Sequence, residues 1–149
     1  MVMSTTTRMM SCTPEQLFEI LADGWAYGQW VVGAARIRDV DEGWPAVGTQ
    51  VHHSVGVWPL LLSDTTEVEQ VDAPHQIQLK VRAWPTGEGR VTIHVRAAGA
   101  GCEVVMEEEA VSGPATLMPK PAQDLILHPR NVESLRRLAY IAEHRAQPG

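Results

Sequence analysis

Hydrophobic and polar residues alternate along the middle of the chain, from Gly33 onward for about eighty residues. In residues 76–84, for example, Ile, Leu, Val and Ala alternate with Gln, Lys and Arg. A period of two is typical of antiparallel strands that bury one face and leave the other face in water. The pattern predicts six strands separated by short, turn-rich segments, at residues 34–40, 49–57, 61–71, 76–84, 90–97 and 102–111.

Two short helical segments are predicted between an N-terminal strand at residues 3–11 and this sheet region. Thr13 is suited to cap the first helix, because a proline follows at the first helical position and Gln16 lies three residues after the cap. An Asp-Gly pair ends that helix. Residues 25–32 contain three aromatic residues and a glycine, which indicates a second short helix or a tight connector folded onto a core.

A long amphipathic helix is predicted from about residue 124 to residue 144. One stripe of this helix consists of Leu127, Asn131, Leu135, Leu138 and Ala142. Pro129 lies inside the pattern, which allows the regular helix to begin there after a looser turn. The preceding residues 112–123 contain three prolines and are predicted to be irregular. The long helix is the only predicted element large enough to cover one face of the sheet.

Composition and charge narrow the class of protein. The 149 residues form one expected domain, residues 1–149, with a formal net charge of −6. Lys and Arg are scattered, so nucleic acid is not an expected partner. The chain has neither the apolar core of a signal peptide nor about 18 consecutive apolar residues. We therefore expect a cytoplasmic protein with no integral membrane association.

The order of a strand, two short helices, six strands and a long helix resembles the helix-grip fold of the START-like, or SRPBCC, superfamily. The stretch LADGWAYGQWVVGAARIRDVDEGWPAVGTQVHHSVGVWPL and the tail RNVESLRRLA are similar to its bacterial polyketide cyclase/dehydrase-like branch. The resemblance implies an α+β fold in which a seven-stranded antiparallel sheet wraps around the C-terminal helix. It also implies a cavity for a lipid-like or polyketide-like molecule, since members of the superfamily bind or cyclise such compounds.

This fold places the loops that follow the second, fourth and sixth predicted strands of the sheet region at one end of the sheet. We expect these loops to form the mouth of the cavity. They carry large apolar side chains that are costly to leave in water unless they contact something apolar: Trp58, Trp84, Leu117 and Met118. The same residues could equally close the hairpins and pack on neighbouring loops.

Alternation along the strands sorts the polar residues by face. His53 is predicted to point inward and its neighbour His52 outward, so the two cannot hold one buried metal ion, and no metal or cofactor is expected. A bulge would reverse the assignment beyond it. The predicted interior polar residues are Tyr27, Trp30, His53, Asp64, Thr66, Glu108 and Asn131. These would line a polar-edged cavity together with Val81, Ile93, Met106 and Leu135, since so many polar groups are costly in a dry core.

Three functions stay open on this basis. The first is binding or carriage of a small hydrophobic or amphipathic ligand by a monomer or homodimer. The second is a cyclase or dehydratase in which His53, Asp64 and Tyr27 move protons. The third is a protein-interaction module.

The position of arginine residues bears on the second function. In aromatase/cyclase relatives an inward arginine on the sheet is thought to anchor the substrate, whereas Arg82, Arg90 and Arg96 sort to the outer face here. Arg130 is the remaining cationic candidate near the mouth. We expect it to form an ordinary helix salt bridge with Glu133.

The chain contains two cysteines, Cys12 and Cys102. The helix-grip arrangement would pair the first and last strands and bring these cysteines close together. A disulfide between them is not expected in the cytoplasm.

Overall fold

The computed structural model describes residues 4–32, 34–55, 62–83 and 87–146. The strands are β1 (Ser4–Met10), β2 (Ala34–Val40), β3 (Gln50–Val55), β4 (Leu62–Asp72), β5 (Gln76–Ala83), β6 (Gly87–Ala98) and β7 (Gly101–Ser112). The helices are α1 (Pro14–Leu21), α2 (Tyr27–Trp30) and α3 (Lys120–Ala146), with 3-10 turns at Gly24–Ala26 and Pro114–Leu117.

The seven strands form one antiparallel sheet in the order β1-β7-β6-β5-β4-β3-β2. The long helix α3 packs against this sheet, and the two short helices lie between the first and second strands. The prediction of an α+β helix-grip fold is therefore confirmed. Within the described residues, no helix combines the length and the apolar character that crossing a bilayer requires.

The segment between β1 and β2 begins with the predicted helix cap. The Thr13 hydroxyl accepts a hydrogen bond from the Gln16 backbone N–H at 3.1 Å, and the Gln16 side chain accepts one from the Thr13 N–H at 2.9 Å. Asp23 then caps the 3-10 turn that leads into α2. Gly24 approaches the sheet so closely that an added Cβ would lie 2.6 Å from Cγ1 of Val40. This close approach places the aromatic residues of α2 in the core.

Bulges occur in the sheet, but they leave the predicted inner face of β4 intact. The register of β4 against β5 shifts between Val68 and Gln70, beyond Asp64 and Thr66, which are predicted to point inward. The register of β6 against β7 shifts between Glu88 and Gly89. That strand begins at Gly87, three residues before the predicted start. The alternation therefore holds for Asp64 and Thr66, which are both buried.

The start of α3 differs from the prediction. Lys120 begins the helix, so the expectation of irregular structure through residue 123 is wrong. The Pro119 carbonyl accepts hydrogen bonds from the backbone N–H groups of the residues three and four positions later, at 3.0 and 3.1 Å. Pro121 lies in the first turn, where a backbone N–H has no helical acceptor. Two prolines that look like helix breakers are therefore compatible with the first turn of this helix.

Pro129 does not interrupt the helix either. It lacks the N–H that would bond to the carbonyl of Leu125, and both residues lie on the exposed side of α3. The unpaired carbonyl is therefore on the side of the helix that faces water, where it needs no protein partner.

The two cysteines lie close together, as the fold predicts. Cys102 is paired with Met10 in the register of β1 and β7, and both cysteines are buried free thiols whose side chains hydrogen-bond to each other. Burial raises the pKa of Cys12 to about 12, so this thiol stays protonated at neutral pH.

Candidate functional site

A cavity of about 260 Å³ lies between the first half of α3 and the inner face of β5, β6 and β7. Its apolar wall consists of Val81, Ala110, Met118, Ile126 and Leu127. Polar side chains of Glu88, Glu108, Glu109, Gln123 and Arg130 also reach it. An apolar wall with a few polar groups is the usual composition of a site for a small molecule, although this cavity is slightly smaller than the ~300–1,000 Å³ that is common for drug-sized ligands.

An ion pair joins the helix to the sheet inside this cavity. Arg130 Nη2 on α3 donates to Glu108 Oε1 on β7. Glu108 is only 7% exposed, and an unpaired carboxylate at that depth would be strongly unfavourable. The second oxygen of Glu108, Oε2, is buried without a partner in the described part of the chain.

The prediction that Arg130 pairs with Glu133 is wrong. Glu133 instead accepts hydrogen bonds from Arg136 Nε at 2.8 Å and from Arg137 Nε at 3.0 Å. These arginines lie three and four residues after Glu133, which is the favourable spacing on a helix surface. Arg130 pairs instead with the buried carboxylate of Glu108 on the sheet.

Gly89 leaves space beside that carboxylate. A Cβ at this position would lie 3.9 Å from Glu108 Oε1 and 3.4 Å from the backbone oxygen of Glu109, both ordinary contact distances. Gly87 also lines the cavity, at the start of the same strand. Gly89 therefore keeps this part of the cavity wall free of a side chain.

A second group of polar residues forms a hydrogen-bonded chain deeper in the core. The Tyr27 hydroxyl lies 2.8 Å from Thr66 Oγ1, and His53 Nε2 lies 3.0 Å from the same oxygen. The rings of Tyr27 and His53 stack with their centroids 5.6 Å apart, and Trp30 packs edge-on against Tyr27 at 5.7 Å. All four residues are buried, and none is among the described residues that line the cavity.

Burial controls the protonation of this chain. It raises the pKa of Tyr27 to about 12, although the hydrogen bond with Thr66 opposes that shift. Burial also lowers the pKa of His53. The negative charge of Asp64, which is paired with His53 in the register of β3 and β4, opposes this shift. At neutral pH the chain therefore consists of a protonated tyrosine and a neutral histidine joined through one hydroxyl.

The remaining predicted site residues divide between the cavity, the core and the surface. Asp64 is buried, with Arg82 Nε at 3.9 Å from its Oδ1. Asn131 is buried, and its Nδ2 has no partner among the described residues. Trp58 and Trp84 lie outside the described residues. The side chains of Ile93, Met106 and Leu135 are buried in the core, whereas Leu117 is 86% exposed.

Sequence reasoning missed several residues of the cavity. Gly87, Gly89 and Gln123 line it, and Ile126 and Leu127 belong to its apolar wall. The sequence contains two signals for them. One is the Gly-Glu-Gly turn before the predicted strand at residues 90–97, and the other is the spacing of four between Gln123 and Leu127, which places both on one side of a helix.

The arginines of β5 and β6 stay outside, as predicted. Arg90 Nε lies 3.0 Å from Glu69 and its Nη1 lies 3.1 Å from Glu109, while Arg96 pairs with a glutamate on the neighbouring strand. Arg82 is exposed. Within the described residues, no three His, Cys, Asp or Glu side chains are grouped so that they could hold a metal ion.

The lowered pKa of His53 predicts an acid-sensitive fold. Below about pH 6.5 the histidine of the unfolded chain binds a proton, whereas the folded chain binds it only at lower pH. Stability should therefore fall as the pH falls through this window. We expect the loss of melting temperature between about pH 7.5 and about pH 5.5 to be smaller in His53→Gln than in the wild type. His75→Gln, in an exposed turn, is the control and should keep the wild-type loss. An equal loss in the His53 variant would contradict this interpretation.

Comparison with solved structures shows the same fold in proteins of low sequence identity. The Zhui aromatase/cyclase from Streptomyces sp. R1128 superposes with a TM-score of 0.73 at 17% identity, covering 97% of this chain and 95% of that one. Protein NE0264 from Nitrosomonas europaea gives a TM-score of 0.75 at 12% identity, over 97% and 96% of the two chains. The di-domain ARO/CYC StfQ from the steffimycin biosynthetic pathway gives 0.75 at 12% identity, with 97% of this chain covering 51% of that one.

No curated protein matches this chain significantly in sequence. The family described as polyketide cyclase / dehydrase and lipid transport matches residues 1–142. That match extends from the first strand almost to the end of α3 and includes each residue of the cavity and of the Tyr27–Thr66–His53 chain. The chain belongs to the polyketide cyclase/dehydrase and lipid transport family.

Proposed function

We propose that the chain binds a small hydrophobic or amphipathic molecule in the cavity between α3 and the sheet. The observation that carries this proposal is the cavity itself, whose wall is mainly apolar while Glu108 and Arg130 reach into it. A ligand with an apolar body and one polar group would contact both parts of that wall. The family description, which names polyketides and lipids, supports a ligand of polyketide-like or lipid-like character.

A second candidate function is proton transfer on such a ligand. The observation in its favour is the chain from Tyr27 through Thr66 to His53, in which a neutral histidine could accept a proton and the tyrosine could donate one. His53 Nδ1 is buried and has no partner among the described residues. Because the chain does not line the cavity, catalysis requires the ligand to reach deeper than the cavity wall.

Binding can be tested by filling the cavity. Gly89→Leu places a side chain in the space beside Glu108 without a close backbone contact at Cβ. We expect this variant to bind the uncharged fluorescent probe N-phenyl-1-naphthylamine at least about tenfold more weakly than the wild type, since it removes the volume that the probe occupies. Binding is measured by fluorescence titration.

Thr92→Leu is the matched control, since it adds the same side chain to the outer face of the same strand and should leave probe binding unchanged. Wild-type affinity in Gly89→Leu, or equal losses in both variants, would contradict binding in this cavity.

Catalysis can be tested separately from binding. If the chain of polar residues transfers protons, His53→Gln and Tyr27→Phe should each lower the cyclisation rate of a synthetic poly-β-ketone thioester by about a hundredfold or more. Probe affinity in both variants should stay within about threefold of the wild type, because neither residue lines the cavity. Absence of turnover by the wild type, or full turnover by both variants, would leave ligand binding as the function.

A further inference from the structure

The charges in the cavity are already balanced before any ligand enters. Among the described residues that line it, Arg130 is the one basic side chain, and it is bound to Glu108. The other two acidic residues of the wall have partners on the outer face of the sheet. Glu88 lies 3.6 Å from Lys80, and Glu109 lies 3.1 Å from Arg90. The described lining of the cavity therefore offers no unpaired cation to an anionic ligand.

The free oxygen of Glu108 adds a direct obstacle to anions. Oε2 is buried and has no partner in the described part of the chain, while Oε1 is held by Arg130. Arg130 is bonded to Glu108 through Nη2, so a ligand carboxylate that approached its other N–H groups would add a second negative charge to a pair that is already neutral, close to the unpartnered Oε2. An O–H or N–H group of an uncharged ligand would instead donate to Oε2 and satisfy it.

The volume sets a second limit on the ligand. About 260 Å³ lies slightly below the ~300–1,000 Å³ that is common for drug-sized ligands. A small ring compound suits a cavity of this size.

We propose that the cavity selects a small uncharged ring compound that carries a hydrogen-bond donor, and that Glu108 excludes carboxylates such as fatty acids. This inference rests on the proposed binding function and names the class of its ligand. Glu108 is the specificity-determining residue, because it both neutralises Arg130 and presents Oε2 to the ligand.

The test compares two probes of equal size, 2-naphthamide and 2-naphthoate, by their displacement of N-phenyl-1-naphthylamine from the full chain at neutral pH. The amide carries an N–H donor and no charge, while the naphthoate carries a carboxylate in the same position. We expect the wild type to bind the amide at least about tenfold more tightly than the carboxylate. In Glu108→Gln the freed guanidinium of Arg130 should raise the affinity for naphthoate by about tenfold or more.

Three further variants make the result specific. Glu107→Gln removes a negative charge from the same strand outside the cavity, without touching Arg130, and should change the affinity for naphthoate by less than about threefold. The double variant Glu108→Gln/Arg130→Gln should lose the gain, since the guanidinium is absent. Glu108→Met frees Arg130 in the same way and replaces Glu108→Gln if that variant does not fold.

The outcomes separate this inference from the binding proposal. If N-phenyl-1-naphthylamine binds but the wild type prefers naphthoate, or Glu108→Gln shows no gain for naphthoate, charge selection by Glu108 is wrong while binding in the cavity stands. If neither the probe nor either naphthalene binds, the binding proposal fails and the inference fails with it.

Discussion

The ion pair between Arg130 and Glu108 is the interaction on which the charge balance of the cavity depends. The alternation of β7 turns Glu108 inward, and its carboxylate is too deeply buried to stay without a counter-ion. The positive charge comes from α3, in the half of the helix that runs beside the cavity. Gly89 keeps the sheet side open next to the pair. The second half of α3 packs through buried apolar side chains such as Leu135 and Leu138, whereas its first half meets the sheet through this ion pair with space left beside it.

The other polar residues of the interior are satisfied in a different way. Tyr27, Thr66 and His53 are hydrogen-bonded to one another, and their protonation is fixed by burial rather than by an ion pair. They pack tightly, with the aromatic rings in contact. The core therefore contains a hydrogen-bonded polar chain in which His53 Nδ1 has no partner among the described residues. Beside it lies a cavity lined by Glu108 and Glu109, whose Oε2 atoms have no partner there either. The two carboxylate oxygens belong to residues that line the cavity, whereas His53 does not.

The sequence was sufficient for the fold and for the inward position of His53, Asp64, Thr66 and Glu108, because both follow from a period of two and from local capping signals such as Thr13 and Gln16. It was not sufficient for contacts that depend on the curvature of the sheet. Arg130 and Glu108 are 22 residues apart and Tyr27 and Thr66 are 39 apart, and no periodicity predicts that either pair meets. Pro119 and Pro121 caused a different error, because they predicted irregular structure where the helix in fact begins. A proline is compatible with the first turn of a helix, although it breaks a helix elsewhere.

The three solved structures compared above are 12–17% identical to this chain, so the chemistry of the ligand has to be determined from this cavity. Methyl NMR of the full chain during titration with N-phenyl-1-naphthylamine tests the central claim most directly. The account predicts saturable shifts in the methyl signals of Val81, Ile126 and Leu127, with none at Ile20 in the packed core or at Ile141 in the open surface groove near the end of α3. Shifts confined to Ile141, or none at the three cavity residues, would contradict it.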